Sequence, residues 1–147
     1  MEKAELVNYR ILTKEVRQLR DQLAALESSL YSPAGQRFSS TPRSSSGPKK
    51  TMEDGVAGHI KLETLYRAKL MEKEMQLYRI ERAIDSLDDP AQRVILRERY
   101  VAGHSWLKVC EKMRSQGYSE RTVYRLHGYA LLKLKEVELY EAKQSKA

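Results

Sequence analysis

The fold is decided by residues 88–140, which read DDPAQRVILRERYVAGHSWLKVCEKMRSQGYSERTVYRLHGYALLKLKEVELY. Asp89 followed by Pro90 is typical of a helix N-cap with proline at the first helical position. Gln92 stands where it would complete a capping box with Asp89. The apolar spacing after Pro90 predicts one helix that ends at Gly103, because glycine commonly follows the last turn.

Two further helices are predicted, and each begins at a serine. Ser105 caps SWLKVCEKM, and Ser119 follows the turn RSQGY to cap SERTVYRLHGYALLKLKEVELYE. Apolar spacing predicts that each helix turns one face inward. The predicted inward residues are Trp106, Val109, Cys110, Met113, Val123, Leu126, Ala130, Leu131, Leu134 and Val137. A helix, a short helix, a glycine-containing turn and a basic helix form the layout of a helix-turn-helix.

The last of these helices carries the candidate site. In a helix-turn-helix its first turns enter the major groove of DNA, so long polar side chains belong there. Arg121 and Arg125 lie one turn apart and could each offer a guanidinium fork to guanine, while Glu120 could accept from cytosine. Tyr124 could reach a base or a phosphate, and His127 a phosphate. The predicted DNA-binding residues are Ser119, Glu120, Arg121, Thr122, Tyr124, Arg125 and His127.

Two long helices are predicted before the motif. Residues 1–31 carry apolar residues at alternating spacings of three and four, namely Tyr9, Leu12, Val16, Leu19, Leu23, Leu26 and Leu30. This a/d seam is typical of a coiled coil, although an amphipathic helix packed on a globular body has a similar pattern. Residues 52–87 continue such a stripe through Tyr66, Leu70, Leu77, Ile80, Ile84 and Leu87, with Lys73 as an interruption.

Residues 32–51, rich in serine and proline and basic in charge, are predicted to be a flexible linker. A linker of about 19 residues spans ~24 Å on average, whereas the first helix is ~45 Å long. The two helices are therefore predicted to form an antiparallel hairpin, within one chain or swapped between two. Residues 141–147 are a tail. The predicted fold is all-α, a coiled-coil hairpin followed by the DNA-binding motif.

Charge and composition restrict the functional classes. The net charge of +7 has its surplus in the linker and the C-terminal part, which suits a polyanion such as double-stranded DNA. No apolar stretch predicts a membrane span or a signal peptide, so we expect a cytoplasmic, nucleoid-associated protein. A single cysteine, histidines without metal-ligand spacing and the lack of a phosphate loop predict no catalytic residue, no metal and no cofactor. We expect no enzyme.

The sequence also resembles a known group of proteins. The runs QRVILRERY, GHSW and YSERTVYRLHGYAL resemble the fourth region of bacterial sigma factors and, more closely, ArpU- and RinA-like regulators of phage late genes. That family also has an N-terminal helical segment and a serine-containing linker. The resemblance implies a sequence-specific transcriptional regulator of phage or prophage genes, with host RNA polymerase as a further partner. RSQGY is about two residues longer than the usual sigma-type turn.

Two other classes of protein fit the same parts. The small subunit of a phage terminase, a DNA-packaging protein, also joins a helix-turn-helix to oligomerising helices. A coiled-coil adaptor that binds polymerase is the third interpretation. The expected homo-oligomer through the N-terminal helices fits each of them. Stoichiometry separates the first two, because terminase small subunits form large rings and a regulator should be a monomer or a low oligomer.

Overall fold

The structure, a computed structural model, describes residues 1–31 and 52–146. These residues form five α-helices and no strand: α1 (Lys3–Tyr31), α2 (Met52–Asp85), α3 (Pro90–Leu96), α4 (Trp106–Arg114) and α5 (Glu120–Gln144). The predicted all-α class is confirmed, and no helix in these ranges is long and apolar enough to cross a membrane. The predicted linker, residues 32–51, lies outside the described residues.

The chain divides into two compact units. One unit, the motif unit, comprises Met1–Lys14 and Met75–Ala147, and the other, the paired-helix unit, comprises Glu15–Glu74. Helices α1 and α2 each contribute to both units, while α3, α4 and α5 belong to the motif unit alone.

Each of the helices α3, α4 and α5 begins at a side-chain cap, which is an aspartate for α3 and a serine for α4 and α5. The Asp89 side chain accepts from the backbone N–H of Ala91 at 2.9 Å. Ser105 accepts from the N–H of Lys108 and Ser119 from that of Thr122, each at 3.3 Å. All three predicted caps are confirmed, since a cap satisfies backbone donors that the first turn leaves free.

The predicted capping box at α3 is wrong. Gln92 is 4% exposed, and its Oε1 has no hydrogen-bond partner within the described part of the chain. It shares the buried face of α3 with Ala91, Ile95 and Leu96. Packing of that face therefore holds the Gln92 side chain away from the Asp89 backbone N–H that a capping box requires.

A π-helical turn, Arg97–Val101, continues α3 without a break. Its signature is the bond from the Ala102 N–H to the Arg97 carbonyl at 2.8 Å, which closes a turn one residue wider than an α-helix. The helical run ends at Val101 with Ala102 as its C-cap, so Gly103, with φ +73°, follows the last turn as predicted. A Cβ at Gly103 would overlap the guanidinium group of Arg10, which is the end of an exposed side chain and can move aside. The positive φ is therefore the reason for glycine at this position.

Two apolar clusters hold the motif unit together. The motif core joins α3, α4 and α5 and contains Ala91, Ile95, Val109, Cys110, Met113 and Val123. The terminal core packs the start of α1 and the end of α2 against α3, the π-helical turn and α5, and contains Met1, Leu6, Tyr9, Ile80, Ile84, Leu87, Leu96, Tyr100, Ala130 and Leu134. The helix-turn-helix therefore has its own small core and a second one completed by the ends of the long helices.

The predicted inward face of α5 is confirmed up to Leu134 and fails beyond it. Val123, Ala130 and Leu134 are buried, whereas Val137 is 39% exposed. Neither cluster of buried residues contains an α5 residue beyond Leu134. An apolar residue at that point of the helix consequently has little to pack against.

In the paired-helix unit, the predicted seam faces inward. Val16 and Leu23 are buried, and the other seam residues are half-buried, namely Leu19, Leu26, Tyr66 and Leu70, as is the interrupting Lys73. The Leu30 side chain lies outside the described residues. Ion pairs join Glu15 to Lys73 at 3.0 Å and Glu27 to Arg67. The residue numbers of the partners on α2 therefore decrease as those on α1 increase. Within this unit the two helices run in opposite directions.

Candidate nucleic-acid interface

The site is built on the first turns of α5, which begin at the Ser119 cap. The Ser119 hydroxyl accepts from the Thr122 N–H and also lies 2.8 Å from the Thr122 hydroxyl. Ser119 and Thr122, both predicted site residues, therefore bond to each other and fix the start of the helix. Their hydroxyls remain at the surface, with Ser119 exposed and Thr122 half-buried.

Four predicted site residues share the exposed side of these turns: Glu120, Arg121, Tyr124 and Arg125. Val123, between them, is fully buried in the motif core and anchors the helix. Neither guanidinium has a hydrogen bond or a salt bridge to another described residue. Within the described residues, these two arginines on an anchored helix thus keep their donors available for an external acceptor.

His127 is buried, whereas the predicted phosphate contact, like its alternative of a plain surface histidine, requires an exposed ring. The residue is 8% exposed, and its Nε2 lies 2.8 Å from the buried Tyr100 hydroxyl. Burial, helped by the positive charges of Lys3 and Arg99, lowers the pKa of His127 to about 4. The ring is therefore neutral at neutral pH and serves the interior of the motif unit.

A signal for this position was present in the sequence. His127 follows Val123 by four residues and precedes Ala130 by three, which is the spacing of one helix face. The polar residue type pointed to the surface, whereas the spacing pointed inward. Spacing was the better guide because the Tyr100 hydroxyl supplies the partner that a buried imidazole needs.

An aromatic group beside the site joins α4 to α5. The half-buried Trp106 ring lies 4.9 Å from the Tyr124 ring and 4.7 Å from the His127 ring, between centroids. The Arg99 guanidinium lies 5.1 Å from the centroid of Trp106, in the range of a cation–π contact, and donates to the His104 carbonyl at 2.8 Å. Sequence reasoning placed Trp106 in the core and missed Arg99, which adds a positive charge over the Trp106 ring.

A carboxylate fixes α4 against the π-helical turn. Glu98 accepts from the Lys112 ammonium and from the His104 ring, whose Nδ1 lies 2.7 Å away. Chiefly through the hydrogen bond from Lys112, these partners hold the pKa of Glu98 below its usual range. Because Lys112 is on α4 and Glu98 on the preceding turn, the bridge helps set the angle between the first two motif helices.

The long turn before α5 is closed by its own backbone. Gly117 adopts φ +90°, and the Tyr118 N–H donates to the Met113 carbonyl at 3.0 Å. The Tyr118 ring packs against the motif core. The turn is thus anchored at both ends, and its greater length does not leave α5 loosely attached.

The candidate metal ligands and the single thiol can also be located. The described residues contain no cluster of histidine, cysteine or acidic side chains that could hold a metal ion. Cys110 is buried, and burial raises the pKa of its thiol, which disfavours the reactive thiolate.

Comparisons with protein-family models, with curated proteins and with solved structures found no match to this chain.

Proposed function

We propose that this protein is a sequence-specific, double-stranded-DNA-binding transcriptional regulator that inserts the start of α5 into the major groove. The observation that carries the proposal is the pair Arg121 and Arg125, exposed and without a partner among the described residues, on a helix anchored by Val123. A guanidinium can donate two parallel hydrogen bonds to guanine, and arginine is the residue most often used this way.

The surrounding structure supports the same reading. Helices α3, α4 and α5 share a core, so α5 is presented by a rigid support rather than by a mobile segment. Tyr124, Trp106 and Arg99 extend the site on one side with aromatic surface and positive charge. Both features fit a polyanionic duplex, for which arginine and tyrosine supply base and phosphate contacts.

The finer identity belongs to the same proposal. The motif is taken as similar to sigma region four, α1 and α2 as a coiled-coil hairpin, and the protein as a cytoplasmic regulator of phage or prophage late genes. The sequence runs QRVILRERY and YSERTVYRLHGYAL support the likeness to sigma region four and the role in phage or prophage late genes. The opposite direction of the two paired helices supports the hairpin. Host RNA polymerase is proposed as a second partner.

The test is selection of DNA fragments with the purified protein, followed by binding measurements on the selected and a random duplex. Arg121→Ala and Arg125→Ala should each lose ~1–3 kcal/mol of discrimination while leaving the fold intact, because both side chains are exposed. Arg17→Ala, an exposed arginine of α1, is the matched control and should leave discrimination unchanged. A parent protein that binds both duplexes equally would falsify the proposal.

DNA packaging as a terminase small subunit is the second candidate. It shares the DNA-binding motif and differs in assembly, since it requires a ring of many copies. A ring in sedimentation experiments together with weak discrimination between the two duplexes would favour packaging over regulation.

A further inference from the structure

The second half of α5 exposes large apolar side chains that no described residue covers. Leu132 is 59% exposed and Leu139 is 63% exposed. Seven residues separate them, so they lie on one line of the helix surface, ~10.5 Å apart, on the side opposite the buried Ala130 and Leu134. Tyr129 and Tyr140, 53% and 65% exposed, lie beside that line, both on the same side. An isolated exposed leucine needs no explanation, but several large apolar side chains on one exposed helix face indicate an interaction surface.

The charges between the leucines identify what covers them. Lys135 and Glu136 lie side by side at the middle of the face, both exposed. If a second α5 runs antiparallel about a two-fold axis between residues 135 and 136, position 132 meets position 139 of the other copy. Position 135 then meets position 136. Each leucine faces a leucine, and each charge faces its opposite.

A parallel pair of α5 helices would also set leucine against leucine, but it loses the charge complementarity. It would set Lys135 against Lys135 and Glu136 against Glu136, and like charges in direct opposition are unfavourable. Lys135 also lies 3.3 Å from Glu2, but both side chains are more than half exposed, so this contact can be shared with a partner. The charges of the face are therefore self-complementary in the antiparallel sense only, and a two-fold axis perpendicular to the helix provides that arrangement.

We infer that Leu132, Lys135, Glu136 and Leu139, with the neighbouring tyrosines, form a homodimer interface with the α5 of a second copy of this chain. The sequence led us to expect association through the N-terminal helices, and this face is distinct from them. In the antiparallel register position 125 lies opposite position 146, so Arg121 extends past the end of the partner helix. Dimer formation requires no DNA and goes beyond the proposed function.

The experiment is sedimentation equilibrium of the full chain without DNA, across a concentration series. We expect a reversible dimer, and Leu132→Lys and Leu139→Lys should each weaken it about tenfold or more, because each substitution buries two unpaired charges in the symmetric interface. Leu107→Lys is the matched control, since Leu107 is 72% exposed on α4, and should leave the dimer unchanged. Circular dichroism should report unaltered helicity for all three variants.

A charge exchange tests the register. Lys135→Glu and Glu136→Lys should each weaken the dimer, and the double exchange should restore it. A monomeric parent, a ring, a dimer indifferent to Leu132→Lys and Leu139→Lys, or a double exchange no better than either single one would each overturn the inference. None of these results depends on whether the protein selects a DNA sequence, so the inference and the proposed function can fail separately.

Discussion

The motif unit and the paired-helix unit are both helical, yet they bury their side chains in different ways. In the motif unit, Ile95, Val109, Met113 and Val123 have no exposed surface at all. Among the described residues of the paired-helix unit, only Val16 and Leu23 fall below a tenth exposed. Where three helices cross, a side chain has neighbours on two sides, whereas a seam between two helices covers it from one.

Because the motif unit buries its side chains more completely, we expect it to contribute more to the folding free energy than the paired-helix unit. Apolar burial contributes ~25 cal/mol per Å² removed from water, while an exposed ion pair contributes ~0–1 kcal/mol. The paired-helix unit has exposed ion pairs such as Arg20–Glu74, whose side chains are 65% and 41% exposed. We expect the crossed helices to contribute most of the folding free energy, and three measurements test this expectation.

The largest effect should come from cutting the same side chain in the two units. Leu96→Ala removes a fully buried side chain among crossed helices, where the cavity cannot collapse, so the free energy of unfolding should fall near the upper end of ~2–5 kcal/mol. Leu23→Ala lies on a seam that can close up and should cost near the lower end. Urea denaturation measures both, and equal losses would contradict the comparison.

The next largest expected effect is a dependence of the protein's stability on pH, caused by His127 in the motif unit. Unfolded His127 binds a proton near pH 6.5, and folded His127 only near its pKa of about 4, so the unfolded state holds more protons between these values. Stability should therefore fall as pH is lowered from 6.5 to 4, by at most ~3 kcal/mol at 1.36 kcal/mol per pH unit.

Two variants locate the source of that slope in a pH series of thermal melts. His127→Gln should flatten it, because no group titrates at that position. Tyr100→Phe should retain most of it, because burial rather than the Tyr100 hydroxyl is the main cause of the lowered pKa. A slope unchanged by His127→Gln would show that other groups produce it.

The smallest effect compares one carboxylate in each unit. The Glu98 side chain is 15% exposed and accepts from two donors, so Glu98→Gln should cost roughly 1–2 kcal/mol and resist salt. The Glu27 side chain is 47% exposed, and Glu27→Gln should cost below ~0.5 kcal/mol, an effect that ~1 M salt removes. Similar costs and similar salt responses would show that the two units do not differ in this respect.

Local chemistry made much of the fold predictable. The caps at Asp89, Ser105 and Ser119 depend on residues within one turn, and the structure contains all three. The seam on α1 was predictable because one helix face must be apolar if it packs at all. The seam prediction nevertheless began at Tyr9 and missed the fully buried Leu6, one turn earlier.

The remaining features depend on contacts between distant residues. The π-helical turn has no recognised sequence signal, and it is supported by packing of Tyr100 in the terminal core. Burial of His127 required Tyr100 as a partner, and the place of Arg99 required Trp106 beneath it. Of the candidate site, the exposed arginines were found from spacing alone, while the residues that surround them were not.

The positive φ of Gly103 has a consequence for the evolution of this chain. A side chain at position 103 would have to tolerate φ +73° and also displace the Arg10 guanidinium. The guanidinium is the far end of a flexible, exposed side chain and can move aside, so the second demand is easily met and φ is the constraint that remains. Asparagine and aspartate tolerate positive φ better than other residues. Among descendants of a common ancestor, a change at 103 should therefore favour asparagine or aspartate, whatever residue stands at position 10.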